Sequence, residues 1–203
     1  MEPAELKAED AAKLSATGKK YFKFIEFDSD ENLICEIRKH YVGLFFIYFT
    51  GISITFIVVI MFGLIGFSDI LSSGLSGTGA PSGSIKSLAV VGGIIFVMFI
   101  LIAMTIQAIL YTNNVIFVTS EKIAQVLYIN LFNRKISQLS IGDVQDVTVT
   151  QKGVLAHMFN YGTLVIETAG EQQNYLFTYI PDPYMHSKAI VGAHERNLVN
   201  YGN

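Results

Sequence analysis

Residues 43–67 read GLFFIYFTGISITFIVVIMFGLIGF, and residues 88–111 read LAVVGGIIFVMFILIAMTIQAILY. Neither stretch contains a charged side chain, and each is longer than the about 20 residues with which an α-helix crosses the hydrocarbon core of a bilayer. The pattern therefore predicts two transmembrane helices. Two buried helices of a soluble core are the alternative, but soluble domains seldom contain two such runs in succession. A signal peptide is not expected, because the first run is too long for its apolar segment.

The charged residues are concentrated outside this apolar block. Of 31 charged residues, only Asp69 and Lys86 lie between residues 41 and 112, in a Gly- and Ser-rich stretch over residues 68–87 that predicts an exposed, flexible loop. That loop holds one basic residue, whereas 13 of the 14 Lys and Arg residues lie elsewhere. The positive-inside rule then predicts an external loop and two cytoplasmic termini.

Residues that flank the two apolar runs suit the boundary between lipid and water. Basic and aromatic side chains favour this position because they combine an apolar stem or ring with a polar end. The predicted interface anchors are Arg38, Lys39, Tyr41 and Tyr111. Inside the runs no side chain is ionisable, whereas transporters and proton relays normally place such groups there. The runs thus favour an anchor, with a small channel or transporter subunit built from an oligomerised hairpin as the alternative.

The chain before the first apolar run carries weaker signals. Residues 1–20 favour a helix from about Pro3 to Ala16, with Gly18 as the terminating residue. Its apolar side is mostly alanine, so these residues predict a marginal or mobile arm. Residues 21–42 form a juxtamembrane segment, in which YFKFIEF at residues 21–27 suits a short strand or an interfacial segment. A helical face leading into the first run is predicted from the spacing of Leu33, Ile34 and Ile37.

After the second apolar run the pattern changes to short stretches of β-branched and aromatic residues separated by turn residues. Half-buried strands are indicated, since apolar and polar side chains alternate, as at residues 144–149. Six strands are predicted, at Val115–Thr119, Ile123–Ile129, Lys135–Leu139, Val144–Val149, Thr163–Thr168 and Tyr175–Tyr179. Asp182 and Pro183 suit the start of a helix that runs to about Val199. The predicted fold class is membrane α+β: a two-helix transmembrane hairpin, then a partly open antiparallel β-barrel with a C-terminal helix over residues 113–203.

Several short stretches resemble one known family. They are Glu36-Ile37-Arg38-Lys39-His40 ahead of the hairpin, Val118-Thr119 at the start of the β-rich region, GVLAHMFNYGTLVIETAG at residues 153–170, and Ile180-Pro181-Asp182-Pro183. Their order is similar to that of bacterial pleckstrin-homology (PH) membrane proteins, over roughly residues 31–195. The resemblance implies a PH-like domain anchored to a bacterial cytoplasmic membrane.

The sequence lacks the usual motifs for catalysis and metal binding. The four histidines form no pair at metal-ligand spacing with a further ligand, and the chain has no GxSxG, P-loop, HExxH or CxxC motif. The single cysteine, Cys35, excludes a disulfide scaffold and has no evident catalytic partner. Neither an enzyme nor a cofactor or metal site is expected. A nucleic-acid partner is not expected either, because the formal net charge is -3 and the polar regions show no basic excess.

Two sets of residues are candidates for binding. Arg134, Lys135 and Lys152 could contact lipid headgroups, but residues 113–203 carry six basic and seven acidic side chains, so strong headgroup recognition is not indicated. The apolar loop at residues 154–159 either packs in the core or contacts the membrane or a protein partner. Its candidate contact residues are Leu155, His157, Met158 and Phe159.

These features together predict a non-catalytic PH-like scaffold that lies on the cytoplasmic face of a bacterial membrane. Its expected partners are the lipid bilayer and either another protein or a second copy of the chain. A domain that senses lipid headgroups is a third hypothesis, after the channel or transporter subunit.

Overall fold

The computed structural model describes residues 12–25, 27–28, 31–66, 83–168 and 175–201. Its helices and strands run in the order α1 (Ala16–Phe22), β1 (Leu33–Arg38), α2 (Val42–Gly66), α3 (Gly83–Thr112), β2 (Val115–Thr119), β3 (Lys122–Tyr128), β4 (Arg134–Ser140), β5 (Val144–Thr150), α4 (Val154–Met158), β6 (Tyr161–Thr168), β7 (Tyr175–Pro181) and α5 (Pro183–Tyr201). The chain divides into two compact units. One is Leu44–Ile109, and the other combines the residues before and after it.

The second unit is built on two antiparallel sheets. The first sheet has the order β1-β2-β3-β4 and the second has the order β5-β6-β7. Buried side chains of both sheets and of α5 form one hydrophobic core, which includes Val118, Ile123, Leu164, Phe177 and Ile190. All six predicted strands are present, each with ends within two residues of the prediction. Among the described strands, no pairing joins the two sheets, so the predicted barrel is not closed.

Strand β1 was not predicted, and its position changes the topology. The predicted helical face of Leu33, Ile34 and Ile37 is wrong, because this segment pairs with β2 in antiparallel register, with Ile37 opposite Ile116. Leu33 and Ile37 are buried four residues apart, a spacing that fits a strand as well as a helix. Pairing with β2 favours the strand over the helix, since it provides both backbone hydrogen bonds and burial. The two apolar helices are therefore inserted between two neighbouring strands.

The outer face of the first sheet is covered by the segment around α1. Leu14, Tyr21 and Ile25 pack on Phe117 and on its neighbours in β3, forming a second hydrophobic cluster. This explains why all five residues of β2 are buried. Most of the predicted mobile arm, residues 1–11, lies outside the described residues.

Helix α1 begins where the predicted helix was expected to end. Ser15 caps it by accepting the Gly18 N–H (2.9 Å), and both the backbone N–H and the hydroxyl of Ser15 donate to the Glu36 carboxylate on β1 (2.6 Å each). The prediction of a helix end at Gly18 is wrong, since Gly18 lies inside α1 and is buried. A Cβ atom at Gly18 would collide with the Glu36 carboxylate. Glycine thus permits a close approach here and does not terminate the helix.

The first unit contains the apolar parts of α2 and α3. The apolar segments Val42–Ile65 and Lys86–Thr112 have 24 and 27 residues, and only 11% and 6% of their most apolar windows are buried. A core helix of a soluble protein would be mostly buried, so this exposure does not fit the alternative of a soluble core. By length and composition both helices could cross a membrane. Most of the predicted loop, residues 68–82, lies outside the described residues, and residues 83–87 are helical.

Candidate functional site

The connections between the first sheet and the two apolar helices are short. β1 ends at Arg38 and α2 begins at Val42, while α3 ends at Thr112 and β2 begins at Val115. Three residues form the first connection and two form the second. Arg38 and Val115 are opposite each other in the sheet, so both helices are attached to the same end of one strand pair. We call this the helix end of the sheet.

His40 is a buried residue in the first connection. Its backbone N–H donates to the Tyr179 carbonyl on β7 (2.6 Å), and its carbonyl accepts the hydroxyl of Tyr111 on α3 (2.6 Å). Its imidazole Nδ1 accepts the N–H of Val42 at the start of α2 (3.1 Å), one of the donors that a helix start leaves unpaired. The ring also hydrogen-bonds to the backbone of Phe159 after α4. His40, through its side chain and its backbone, thus joins both sheets to both helices.

The hydrogen bonds of His40 require a neutral imidazole. Burial lowers the pKa of His40 below its ordinary value, and the charge of Asp182 and the hydrogen bond to Phe159 oppose this only in part. Near pH 7 one ring nitrogen can then accept while the other donates. The ring stacks on Tyr41, with centroids 4.1 Å apart, and lies 5.5 Å from the ring of Tyr161.

Three residues near His40 have left-handed backbone conformations, which non-glycine residues rarely adopt. They are Asn160, Tyr179 and Asp182, with φ of 49°, 56° and 42°. The Asp182 N–H donates to the Asn160 carbonyl (3.0 Å), and the Asn160 amide bonds to the Asp182 carboxylate. Asn160 and Asp182 belong to two stretches that carry the family resemblance, and His40 belongs to a third. The structure brings these three stretches together at the helix end.

The four predicted interface anchors also lie at the helix end. Lys39 donates to the Thr178 hydroxyl (3.3 Å), its Nζ is 5.3 Å from the centroid of the Tyr111 ring, and burial lowers its pKa. Arg38 and Tyr41 are exposed. Lys39 and Tyr111 therefore contribute to the packing of the domain, and contact of any of the four with lipid remains a prediction.

The predicted apolar loop at residues 154–159 forms the short helix α4, and only Ala156 on it is buried. The exposed fractions are 81% for Val154, 43% for Leu155, 63% for Met158 and 41% for Phe159, and His157 is exposed as well. We call Val154, Leu155, Met158 and Phe159 the α4 patch. Since the backbone of Phe159 bonds to His40, the α4 patch lies beside the start of α2. Its exposure does not favour the alternative of core packing, and its contact with membrane or partner remains a prediction.

The predicted headgroup residues do not form one group. Arg134 and Lys135 begin β4 in the first sheet, whereas Lys152 lies between β5 and α4 in the second. Arg134 instead meets the segment just after α1, because its guanidinium lies 4.3 Å from the centroid of the Phe24 ring and Lys23 lies 5.6 Å from the same ring. The sequence did not predict this contact, because Lys23 and Phe24 precede the two apolar helices and Arg134 follows them.

An acidic cluster lies at the opposite end of β2. The side chain of Glu31 is 1% exposed and lies 3.0 Å from Lys122 Nζ, which is also 3.5 Å from Asp28. Glu31 bonds further to the buried Thr119 hydroxyl and accepts the Asp28 N–H (3.1 Å). Carboxylate oxygens of Asp28, Glu31 and Glu121 lie within 4.8 Å of one another. The Lys122 ammonium supplies positive charge to this cluster, which fastens the segment before β1 to the turn between β2 and β3.

Cys35 on β1 is half-buried, with its Sγ 3.8 Å from Nδ1 of His186. Burial raises the pKa of Cys35 from 9.0 to about 11, and only the thiolate reacts. We therefore expect iodoacetamide at pH 8 to alkylate the folded protein about a hundredfold more slowly than the urea-unfolded protein. Mass spectrometry can follow the reaction, because the chain has one cysteine. Equal rates in the two states would contradict the prediction.

Two antiparallel sheets of four and three strands followed by a C-terminal helix define a PH-like domain. The sequence model of the family described as Bacterial PH domain matches residues 47–187. The chain belongs to this family, which confirms the resemblance found in the sequence. The matched range begins within α2, so α1 and β1 lie outside it. Neither a curated protein nor a solved structure matches the chain. Membership of this family suggests a non-catalytic module.

Proposed function

We propose that this protein is a non-catalytic interaction scaffold that α2 and α3 anchor in the bacterial cytoplasmic membrane, with its PH domain on the cytoplasmic face. The observation that carries the proposal is the attachment of both apolar helices to one end of the β1–β2 strand pair. Connections of three and two residues span at most about 14 Å, at about 3.5 Å per residue. They keep the helix end, and the α4 patch beside it, at the membrane surface.

The side chains of the apolar helices support an anchoring role. Large apolar residues such as Phe45, Phe56 and Phe99 are exposed, which is unfavourable in water and favourable in lipid. The hydroxyls of Ser53 and Thr55 each donate to a backbone carbonyl four residues earlier (2.8 Å). Such donors are satisfied within the helix, as a hydrocarbon environment requires. A pore would instead need polar groups directed toward water, so this pattern favours an anchor over a channel.

Membrane topology is the first test. We expect the full-length protein to stay with the membrane fraction after an alkaline carbonate wash. We also expect a phosphatase fused after Gly79 to be active outside the cytoplasm, and a green fluorescent protein fused after Asn203 to fluoresce inside it. Release by carbonate would contradict the anchor, and a cytoplasmic reporter after Gly79 would contradict the orientation.

The α4 patch provides a test of the scaffold role. Leu155→Ser with Phe159→Ser should keep the wild-type unfolding midpoint, because both side chains are half exposed or nearly so. The variant should lose the partner or second copy that crosslinks to the wild-type protein in membranes. Val199→Ser is the matched control, since Val199 is exposed on α5. Crosslinking equal to wild type would remove the α4 patch as the contact surface, and unfolding of the variant would assign these residues to the core.

A further inference from the structure

The turn between β3 and β4 exposes three large apolar side chains. Phe132 is 98% exposed, Ile129 is 56% exposed and Leu131 is 44% exposed. We call residues 129–133 the β3–β4 tip. Single exposed apolar residues are common on protein surfaces, but three within four positions at the end of a hairpin indicate contact with another apolar phase.

Four of the five backbone N–H groups of the β3–β4 tip are paired within the tip. The N–H groups of Ile129 and Asn130 both donate to the Asn133 carbonyl (3.0 and 3.2 Å). The Phe132 N–H donates to the Asn130 side chain (3.0 Å), and the Asn133 N–H donates to the Asn130 carbonyl (3.4 Å). These four donors would lose little on entering a poorly hydrated environment, where an unpaired N–H costs several kcal/mol.

Positively charged side chains surround the base of the tip. Arg134 and Lys23 lie on the same Phe24 ring (4.3 and 5.6 Å from its centroid). The pKa of Tyr128 is lowered by its hydrogen bond with Tyr21 and further by the charges of Arg134 and Lys20, so both cations lie near one hydroxyl. The two contributing stretches, residues 11–25 and 122–142, contain no Asp or Glu. An apolar tip with a cationic base is complementary to an anionic bilayer surface.

The β3–β4 tip lies at the same end of the sheet as the two apolar helices. Val126 is opposite Val115, and the Tyr128 N–H donates to the side chain of Asn114 (2.7 Å), so β3 ends level with the connection between α3 and β2. Residues 129–133 extend past that level, by about 7 Å if two residues continue at about 3.4 Å each. The tip therefore projects from the helix end of the sheet, where the chain enters the apolar helices.

We propose that Ile129, Leu131 and Phe132 insert into the interfacial layer of the bilayer while Lys20, Lys23 and Arg134 contact anionic lipid headgroups. This inference rests on the proposed membrane anchoring. The tip forms a second attachment, independent of the two helices, that fixes the orientation of the PH domain at the membrane surface. The site lies partly on α1, a segment outside the matched family range.

Depth-dependent fluorescence quenching tests the proposal on the full-length chain. In a Cys35→Ala background, Leu131→Cys places an NBD fluorophore on the tip and leaves Phe132 in place. The protein is reconstituted into phosphatidylcholine vesicles with or without phosphatidylglycerol, and with nitroxide-labelled lipids. We expect blue-shifted emission and strong quenching by headgroup-proximal nitroxides, and more of both in vesicles that contain phosphatidylglycerol. Adding Ile129→Ser and Phe132→Ser should abolish the quenching, and Lys20→Gln with Lys23→Gln and Arg134→Gln should remove its dependence on phosphatidylglycerol.

Two matched probe sites separate the possible outcomes. Gln138 is exposed on strand β4, so a fluorophore attached to Gln138→Cys should not be quenched. A fluorophore attached to Phe99→Cys in α3 reports whether the helices lie in lipid. A quenched probe at position 99 with an unquenched probe at 131 would overturn this inference and leave the anchoring intact. An unquenched probe at 99 would overturn the anchoring itself. Blue-shifted emission at 131 without quenching would show that protein covers the tip, and equal quenching after removal of the three charges would refute the role of anionic lipid.

Discussion

Replacing Lys122 with methionine should lower the free energy of unfolding of the PH domain by about 3–5 kcal/mol. Glu31, whose side chain is 1% exposed, would lose the ammonium 3.0 Å away, and removing one partner of a buried ion pair is strongly destabilising. Burial alone would lower the pKa of Lys122, but the hydrogen bonds and charges of Glu31 and Asp28 outweigh it and raise the pKa. The ammonium is therefore fully charged across the neutral range. Urea unfolding in nanodiscs, followed by the reaction of Cys35 with a fluorogenic maleimide, measures the loss.

The double variant Glu31→Gln with Lys122→Met is the control for this prediction. It keeps the size of both side chains and removes both charges, so it should recover most of the stability lost in Lys122→Met. A double variant as unstable as the single one would contradict the prediction, because the loss would then not come from a Glu31 charge left without Lys122.

The strands of the PH domain differ in how well the sequence predicts them. The segment at Val115–Thr119 was predicted with its observed ends because β-branched residues and flanking turns are local signals. Strand β1 was missed because Leu33 and Ile37 fit both helical and strand spacing. Its partner follows the whole apolar hairpin, and Ile37 pairs with Ile116. Only this long-range pairing distinguishes the two structures.

The candidate site shows the same limit. The stretches containing His40, Asn160 and Asp182 were recognised individually, but their convergence depends on contacts between the two sheets that no local pattern reports. The cationic group was not predicted because basic and acidic residues nearly balance within residues 113–203. Lys20 and Lys23 reach Arg134 only through the packing of α1. Phe132 appeared in the sequence as part of a turn, and its exposure depends on the conformation of that turn.

His40 gives the second prediction with a large expected effect. His40→Ala should destabilise the PH domain by about 2–3 kcal/mol, because it removes the acceptor for the Val42 N–H and the ring stacked on Tyr41, contributions of about 1 kcal/mol each. The hydrogen bond to Phe159 is lost as well, which loosens the α4 patch. His40→Asn should be less destabilising than His40→Ala, since asparagine is a good helix cap and its side-chain oxygen can replace Nδ1. The same maleimide assay applies, because Cys35 does not contact His40 in the described part of the chain.

The titration of His40 distinguishes its cap from simple packing. Because burial places the folded pKa of His40 below the unfolded value of 6.5, the unfolded state binds more protons in this window, and stability is full above pH 6.5 and falls as the pH drops toward the folded pKa. His186, whose pKa burial also lowers, adds a loss of the same sign. His40→Asn should therefore flatten, without abolishing, the decline in unfolding midpoint between pH 7.5 and 5.5. A decline as steep as in wild type would mean that the folded domain accommodates a charged His40, and the neutral ring would then not be what holds the start of α2 to the two sheets.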